Sequence, residues 1–526
     1  LANSIGYRVA QVCEWRKLIN INIFMSDSSN IIIRYLNDVH AKVCCKEAGI
    51  GMEMVDYFTF VVPNARYTPA YRHKIWDGKI RLYNQYSELL YYGLIPYVIK
   101  FANERGYTVK LDADFPRPSR PLDRQQIVDF LNQLDIRGPK NEKLQALPHQ
   151  IEGVEYAINN SRCLLLSPTA SGKSYIIYSL IRYYAQQTNK KILIVVPTVA
   201  LVYQMLSDFD CYSQANGWDV SKQCHGVVGG KQKLSDSQVI VSTWQSIYKE
   251  SKKYFENFEC VIVDESHHMR SDSIKGIMEK LLVCPRRIGL TGTLDGMQTN
   301  KLVVEGLTGK VHRIATTRDL IDANILSKLK IECVTLKYND DECKHVKDLK
   351  YDQEIDYLVR HDRRNNFIAD LALNTRGNSL VLYQFVEKHG KVLHDLIVKK
   401  NKDPNRQIYF VSGDVDAELR EQMRKTVETQ NDAIIVASYG TFSTGINIRK
   451  LHNIVFASPS KGRVRVLQSI GRQLRKSDTK QHAQLYDISD DLSWKSRQNY
   501  GLKHFVERLK IYNEEKFDYK IVSLRI

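Results

Sequence analysis

The chain has 526 residues, 43% hydrophobic and 26% charged, with 76 Lys and Arg against 59 Asp and Glu and a formal charge of +17. That length supports about three domains with sizeable cores, the absence of any apolar run near 18 residues excludes a helical membrane span, and the absence of any CxxC pair among the ten cysteines excludes zinc-ribbon spacing. The basic excess points to a polyanionic partner, most simply nucleic acid, against the plainer reading of a basic soluble protein.

In chain order, residues 1–24 form an N-terminal extension of no evident role; they lack the apolar region and small-residue cleavage site of a signal peptide. Residues 25–115 read as a small α+β domain. Within it RYTPAYRHKIWDGKIRLYN, Arg66 to Asn84, interleaves Arg66, Arg72, Lys74, Lys79 and Arg81 with Tyr67, Tyr71, Trp76 and Tyr83. Asp77-Gly78 between β-prone residues predicts a tight hairpin. Cations and aromatics on such an element suit phosphate contact and base stacking; the alternative is a hairpin whose Trp76 is core and whose charges are solvated. Pro116, Pro118 and Pro121 make residues 116–125 a stiff linker.

After the linker, QQIVDFLNQL predicts a helix, and short apolar runs alternate with helical patterns. The runs are Cys163–Leu166, Ile192–Val196, Val239–Val241, Val261–Val263 and Ile288–Leu290, then Ser379–Tyr383, Gln407–Val411, Ala433–Ala437, Asn453–Ala457 and Gln484–Asp487. Doubly buried strands read this way, and βαβ alternation predicts parallel sheets. The fold class is therefore α/β: two tandem RecA-like parallel-sheet lobes, residues 126–320 and 321–495, preceded by the small α+β domain and followed by a helical extension, residues 496–526. Cys163, Cys260 and Cys284 read as reduced core thiols, as in a reducing compartment.

SPTASGKS, Ser167 to Ser174, sits between a strand and a helix, the context a phosphate-binding loop needs. Thr169, Ala170, Ser171 and Gly172 are small enough for backbone N–H groups to cradle phosphates at a helix N-terminus. Lys173 reaches the β- and γ-phosphates and the Ser174 hydroxyl suits Mg²⁺. VIVDESHH ends a buried strand in Asp264, placed for Mg²⁺, and Glu265, placed to polarise water. QSIGRQLR puts Arg472 and Arg475 three apart, on one face if helical, suited to reach a γ-phosphate from a second domain. The plainer reading is a basic helix face.

The ordered set PTASGKS, VVPTVALVYQM, VSTWQS, DESH, LTGTL, ASYGTFSTGIN and QSIGRQLR resembles the motif series of superfamily 2 helicases of the DExH type, from Gln150 to Arg475. Together with the flanking RYTPAYRHKIWDGKIRLYN and KHFVERLKIYNEEKFDYKIVSL, the chain from about Met25 resembles the UvsW recombination helicase family of T4-like bacteriophages. The resemblance implies that Gln150 reads adenine, that Gly445 and Gln468 lie at the ATP cleft, and that Thr291 and Thr293 link nucleotide state to DNA grip. It also implies that Thr198, Thr243, Ser412 and Ser438 contact the phosphates of a single strand, although for any one hydroxyl taken alone capping a helix is the stronger reading. With Arg72, Lys74, Trp76, Lys79 and Arg81 these make up the expected nucleic-acid contacts. Ser167 replaces the usual first glycine of the loop.

The family's work, by implication, is ATP- and Mg²⁺-dependent unwinding or branch migration of R-loops, D-loops, Holliday junctions and stalled forks, 3′ to 5′. The implied partners are branched DNA, single-stranded DNA, RNA–DNA hybrids and phage recombination proteins, with no membrane partner, for a monomer in the cytoplasm of the infected host. A duplex translocase without strand separation is the alternative reading. A non-catalytic binding protein is disfavoured by the joint presence of Lys173, Asp264, Glu265, Arg472 and Arg475.

Overall fold

The computed structural model describes residues 29–526 apart from 64, 117–119, 230–231, 295–297, 414–416, 446–447, 449, 459–461 and 477–481. The expectations for residues 1–24 and for the middle of the proline-rich linker lie outside the described residues. Tertiary contacts divide the chain into two units, one running up to Ser167 and including Gly172–Ile314, the other comprising Pro168–Ser171 and Ala315–Ile526.

The first unit opens with a small α+β layer. Strands β1 (Ile31–Tyr35), β2 (His40–Cys45), β5 (Tyr83–Asn84), β6 (Leu89–Tyr91) and β7 (Val109–Leu111) form a sheet in the order β5-β6-β2-β1-β7, while β3 (Thr59–Val61) and β4 (Lys79–Arg81) pair separately as a two-stranded ribbon. Alternation puts Ile31 and Ile33 of β1 fully inside. Helix Ile95–Arg105 carries Pro96 in its first turn and stops at Gly106, whose φ of +74° closes the C-terminus.

Here the structure corrects the expected hairpin. Asp77-Gly78 does not join two paired strands: β4 pairs antiparallel with β3, with Val61 opposite Lys79. The intervening chain folds into a short helix, Pro69–Arg72, capped by Thr68. The turn that follows is held by the peptide N–H groups of Ile75 and Trp76 on the Ala70 carbonyl, and that bonding displaces the hairpin. Gly78 nevertheless takes φ +77°, so the glycine is required for a different turn.

The rest of the first unit is a seven-stranded sheet built from β8 (Arg162–Leu166), β9 (Lys191–Val196), β10 (Cys224–Val227), β11 (Val239–Thr243), β12 (Phe258–Val263), β13 (Arg286–Thr291) and β14 (Val311–Arg313). Every pairing is parallel, in the order β10-β11-β9-β12-β13-β8-β14. The α+β layer shares a core with this sheet: Tyr92, Leu94 and Val98 belong to one apolar cluster with Leu164, Val261 and Leu307. Arg162 lies 4.2 Å over the Tyr92 ring and donates to the Asp38 carbonyl. The Tyr91 and Tyr97 hydroxyls donate to Glu279 and Glu305 at 2.5 and 2.6 Å. At Gly93 the backbones approach so closely that a Cβ would fall 2.0 Å from the Glu305 carbonyl oxygen.

The second unit holds β15 (Lys328–Lys337), β16 (Ser379–Tyr383), β17 (Ile408–Val411), β18 (Ile434–Ser438), β19 (Asn453–Phe456), β20 (His482–Asp491) and β21 (Tyr519–Arg525), again all parallel, in the order β17-β18-β16-β19-β20-β15-β21. The C-terminal segment is therefore not only helical. Helix Tyr500–Glu514 leads into β21, which pairs with β15 from Ile331↔Tyr519 to Lys337↔Arg525. The strand YKIVSLR is mostly exposed, as an edge strand can be, and its short Ile521-Val522 run directly after a helical pattern hides it in the sequence. Two buried ion pairs fix this half: Arg508 Nε to Asp487 at 2.8 Å, and Arg364 Nε to Asp490 at 2.7 Å. Arg364 also donates to the Ala457 carbonyl, and Asp490 accepts from the Tyr338 hydroxyl.

Replacing Arg364 by Ala strands the Asp490 carboxylate inside the unit, a loss of about 3–5 kcal/mol. Urea unfolding should show a destabilised second unit, and an unchanged midpoint would contradict the role given to this pair.

Candidate functional site

In the first unit the strand order sets the site. β12, β13 and β8 are consecutive neighbours in an all-parallel sheet, so their carboxyl ends lie side by side, where open α/β sheets bind ligands. β12 delivers Asp264 and Glu265, β13 ends at Thr291, and β8 leads into the Ser167–Ser174 loop.

The loop opens with Ser167, fully buried, its N–H donating to the Thr291 carbonyl at 2.9 Å. Ser167 does not have a positive φ, so its backbone needs no glycine. The left-handed residues are Ala170, φ +67°, and Gly172, φ +83°. Lys173 and Ser174 begin helix Lys173–Ala185, with peptide N–H groups at its free N-terminus. Lys173 Nζ lies 3.4 Å from the Ser167 carbonyl oxygen. Gln150 sits in the first turn of helix Pro148–Asn160 and accepts from the Leu147 N–H at 2.9 Å. A Cβ on Gly172 would fall 2.2 Å from the Gln150 Nε2, so glutamine and loop are in direct register.

Asp264 is anchored by its N–H on the Val195 carbonyl at 3.0 Å, and its Oδ1 accepts from the Glu265 N–H at 2.9 Å. Burial, then the neighbouring Glu265 charge, push its carboxyl up to about 6, while Lys173 pulls it back. Glu265 takes φ +50°, an uncommon backbone for a non-glycine residue. His267, to which the sequence reading gave no role, completes the set: its Nδ1 lies 3.0 Å from Thr291 Oγ1 and 3.3 Å from Glu265 Oε2. Thr291 Oγ1 in turn donates to the Thr293 carbonyl at 3.0 Å. His267 thus stands between the two strand ends, hydrogen-bonded to Thr291 at the end of β13 and within ion-pair distance of the Glu265 carboxylate after β12. The only sequence signal for it was the third position after the aspartate in DESH.

Thr198 caps helix Val199–Tyr212, accepting from the Leu201 N–H at 3.3 Å. Thr243 ends β11 and shares a 2.9 Å hydrogen bond with Ser246. The two loops are joined by Gln245 Nε2 donating to the Pro197 carbonyl. In the second unit, Ser412 follows β17 and Ser438 ends β18, where its hydroxyl accepts from the Thr441 N–H at 3.1 Å. Gly445 closes helix Tyr439–Gly445, and Gln468 and Arg472 lie on helix Arg463–Gln473. Arg472 donates to the Phe442 carbonyl at 2.7 Å. The condition for a shared helical face of Arg472 and Arg475 is not met: the helix stops at Gln473, Leu474 caps it with its N–H on the Ile470 carbonyl, and the Leu474 carbonyl accepts from the Ser327 N–H.

On the β3–β4 ribbon, Arg72, Lys74 and Lys79 are exposed, Trp76 donates from its indole to the Lys79 carbonyl at 2.8 Å, and Arg81 is paired with Asp77 at 2.6 Å. Trp76 is neither core nor free, being half-buried and tied to its own turn. Tyr83, part of the same basic-aromatic stretch, is instead buried and bonded to the Val43 carbonyl.

Two all-parallel seven-stranded sheets, the first with a Gly-Lys-Ser loop after β8 and an acid pair after β12 on either side of β13, are the two-lobed motor fold of superfamily 2 helicases. Residues 30–112 match the family described as DNA helicase UvsW, N-terminal; residues 133–296 match Type III restriction enzyme, res subunit; residues 363–477 match the helicase conserved C-terminal domain. The chain is 33% identical over 510 residues to the ATP-dependent DNA helicase uvsW of Enterobacteria phage T4, covering 94% of this chain and 100% of that one. The crystal structure of T4 UvsW superposes with a TM-score of 0.50 at 32% identity, over 94% of this chain and 99% of that one. A DNA 3′-5′ translocase XPB2 of Sulfurisphaera tokodaii is 21% identical over 457 residues, 81% of this chain and 94% of that one. The chain belongs to the UvsW family of DNA helicases.

Gly172→Ala should place a methyl group on a left-handed backbone and against Gln150. Nucleotide affinity, read with a fluorescent ATP analogue, should fall at least about tenfold with little change in melting temperature; unchanged affinity would contradict the loop geometry.

Proposed function

We propose that this chain is an ATP-driven DNA helicase that remodels branched nucleic acid: R-loops, D-loops, Holliday junctions and stalled forks. The observation that carries the reading is the convergence of three consecutive parallel strand ends, which bring the Ser167–Ser174 loop, Asp264–Glu265 and Thr291 to one side of the sheet, with His267 between Glu265 and Thr291. ATP binds at the Ser167–Ser174 loop, with Gln150 beside it. Glu265 polarises the attacking water, and Arg472 and Arg475 of the second unit meet the γ-phosphate when the lobes close, with Gly445 and Gln468 at that cleft. The Glu265–His267–Thr291–Thr293 chain passes the state of the phosphate site to the strand grip made by Thr198, Thr243, Ser412 and Ser438.

The residues fit Mg²⁺. Asp264 is a half-buried carboxylate crowded by a second acid, an arrangement that a cation relieves, and Ser174 offers a hydroxyl on the first helical turn. Bound there, the ion would neutralise charge on the β- and γ-phosphates. Arg72, Lys74, Trp76, Lys79 and Arg81 hold duplex at the junction. Movement is 3′ to 5′, in keeping with the family and with the name of the archaeal relative. The chain acts as a monomer in the host cytoplasm, alongside phage recombination proteins; among the described residues no helix is long and apolar enough to cross a membrane.

The test is ATP hydrolysis with single strands, plain duplex, forks and R-loops while strand release is followed. Branched substrates should stimulate hydrolysis and release strands, and Lys173→Ala should abolish release while DNA still binds. Stimulation by plain duplex without release would replace this reading with a duplex translocase.

A pH dependence follows from Asp264. Its carboxyl is raised from 3.8 to about 6, so the group is protonated below that value and ionised above it. Hydrolysis should fall as pH drops through about 6, and raising Mg²⁺ from about 1 to about 10 mM should move that acid limb lower, because metal and proton compete for one carboxylate. A limb indifferent to Mg²⁺ would remove Asp264 from metal binding.

A further inference from the structure

We propose that the β3–β4 ribbon and the turn it carries are a strand-separating wedge, with Ile75 and Val61 bearing on the exposed face of the last base pair where a duplex parts. This rests on the reading of the chain as a DNA-unwinding motor and adds to it a site distinct from the phosphate grips.

Ile75 is 80% exposed, Val61 70% and Tyr67 58%, all on one small element. Isolated exposed apolar residues are ordinary, but several on one short protruding element mark a contact surface. The exposure is not slackness. Ile75 and Trp76 N–H groups are both held by the Ala70 carbonyl, the Trp76 indole is held by the Lys79 carbonyl, and Lys74 takes φ +58° to turn the chain at this point. Gly78 lies so close to Ala65 and Tyr71 that a Cβ would fall 2.9 Å from the Ala65 Cβ. The turn is thus braced to present Ile75 to water rather than to fold it away.

Charge identifies the occupant. Val61 stands opposite Lys79 on the solvent face of the ribbon, Arg66 lies 4.9 Å over the Tyr67 ring, and Arg72 and Lys74 flank the turn, with Asp77 already paired to Arg81. A rim of cations around apolar tips matches a polyanion that also offers a flat apolar face. Nucleic acid does so where base stacking ends. Cations meet phosphates; Ile75 and Val61 can meet only the base face.

A wedge must also resist load. The layer that bears the ribbon shares a core with the first seven-stranded sheet and is pinned to it by Arg162, Tyr91, Tyr97 and the close approach at Gly93. Phe60, on the other side of β3, packs into that same core. Force developed at the ATP site of this unit is therefore delivered to the ribbon through packed side chains.

The test compares the full chain with the double variant Ile75→Ser, Val61→Thr and with the single variant Ile75→Leu, on a fork carrying 2-aminopurine in its first base pair. Both changed positions are exposed, so melting temperatures should match. The double variant should release strands at least about tenfold more slowly, while hydrolysis stimulated by single strands and fork affinity stay within about twofold; Ile75→Leu should keep full release. Before ATP is added, the junction 2-aminopurine should change at least about twofold in fluorescence on binding the parent chain, and hardly at all with the double variant. Undiminished strand release by the double variant overturns the wedge. So does a parallel loss of fork affinity and strand-stimulated hydrolysis, which would mark a general DNA-binding surface. If the parent chain releases no strand from forks, the unwinding reading fails, and the nucleotide-free signal alone decides whether the ribbon touches the junction base.

Discussion

Everything at the phosphate site depends on one constraint, the exclusively parallel pairing of β12, β13 and β8. Parallel strands end on the same side of a sheet, so three loops far apart in sequence are delivered to one place without any loop reaching for another. A single antiparallel strand among them would send its loop to the opposite edge. The constraint also explains the polar chain at the strand ends. With Asp264, Thr291 and Ser167 on adjacent strands, His267 needs only to turn inward to touch Thr291, and the Ser167 N–H meets the Thr291 carbonyl across one ladder rung.

A second constraint is the seam between the α+β layer and the first sheet. A buried guanidinium is costly unless it is compensated, and Arg162 is placed where the Tyr92 ring face and the Asp38 carbonyl offset part of that cost. Arg287, fully buried nearby, is met by the carbonyls of Met278, Leu281 and Leu307, the last turns of two helices, where a cation is favoured. These arginines are cross-members between layers.

The sequence was most legible where period and chemistry agreed. The runs Cys163–Leu166, Ile192–Val196 and Ser379–Tyr383 became strands within a residue of their expected ends, because a strand buried on both faces leaves an uninterrupted apolar run. Loop position was legible in the same way: the Gly-Lys-Ser and the acid pair each follow a strand, as the apolar runs before them indicate. The failures have local causes. β21 was missed because its apolar run is short and follows directly on a helical pattern, and the Asp77-Gly78 hairpin failed because Thr68 and Pro69 start a helical turn that takes up the backbone groups a hairpin would need. His267 was missed because its partner lies across a strand pairing that periodicity does not reveal. The exposure of Ile75 was unreadable for a related reason, since an isoleucine beside a tryptophan reads as core until the turn that lifts it is seen.

The position of β15 between β20 and β21 bears on how the chain acquires its shape as it leaves the ribosome. β15 precedes both of its neighbours in sequence, and neither exists until most of the second unit has been made. The first sheet has all its strands by Arg313, so it can close while β15 still waits with both edges open. Synthesis from the N-terminus therefore yields a folded nucleotide-binding half well before a finished motor, and the unpaired β15 is the segment most exposed to mispairing in that interval. Because the last strand to be made, β21, seals β15, the second lobe matures late, well after the first sheet has all the strands it needs.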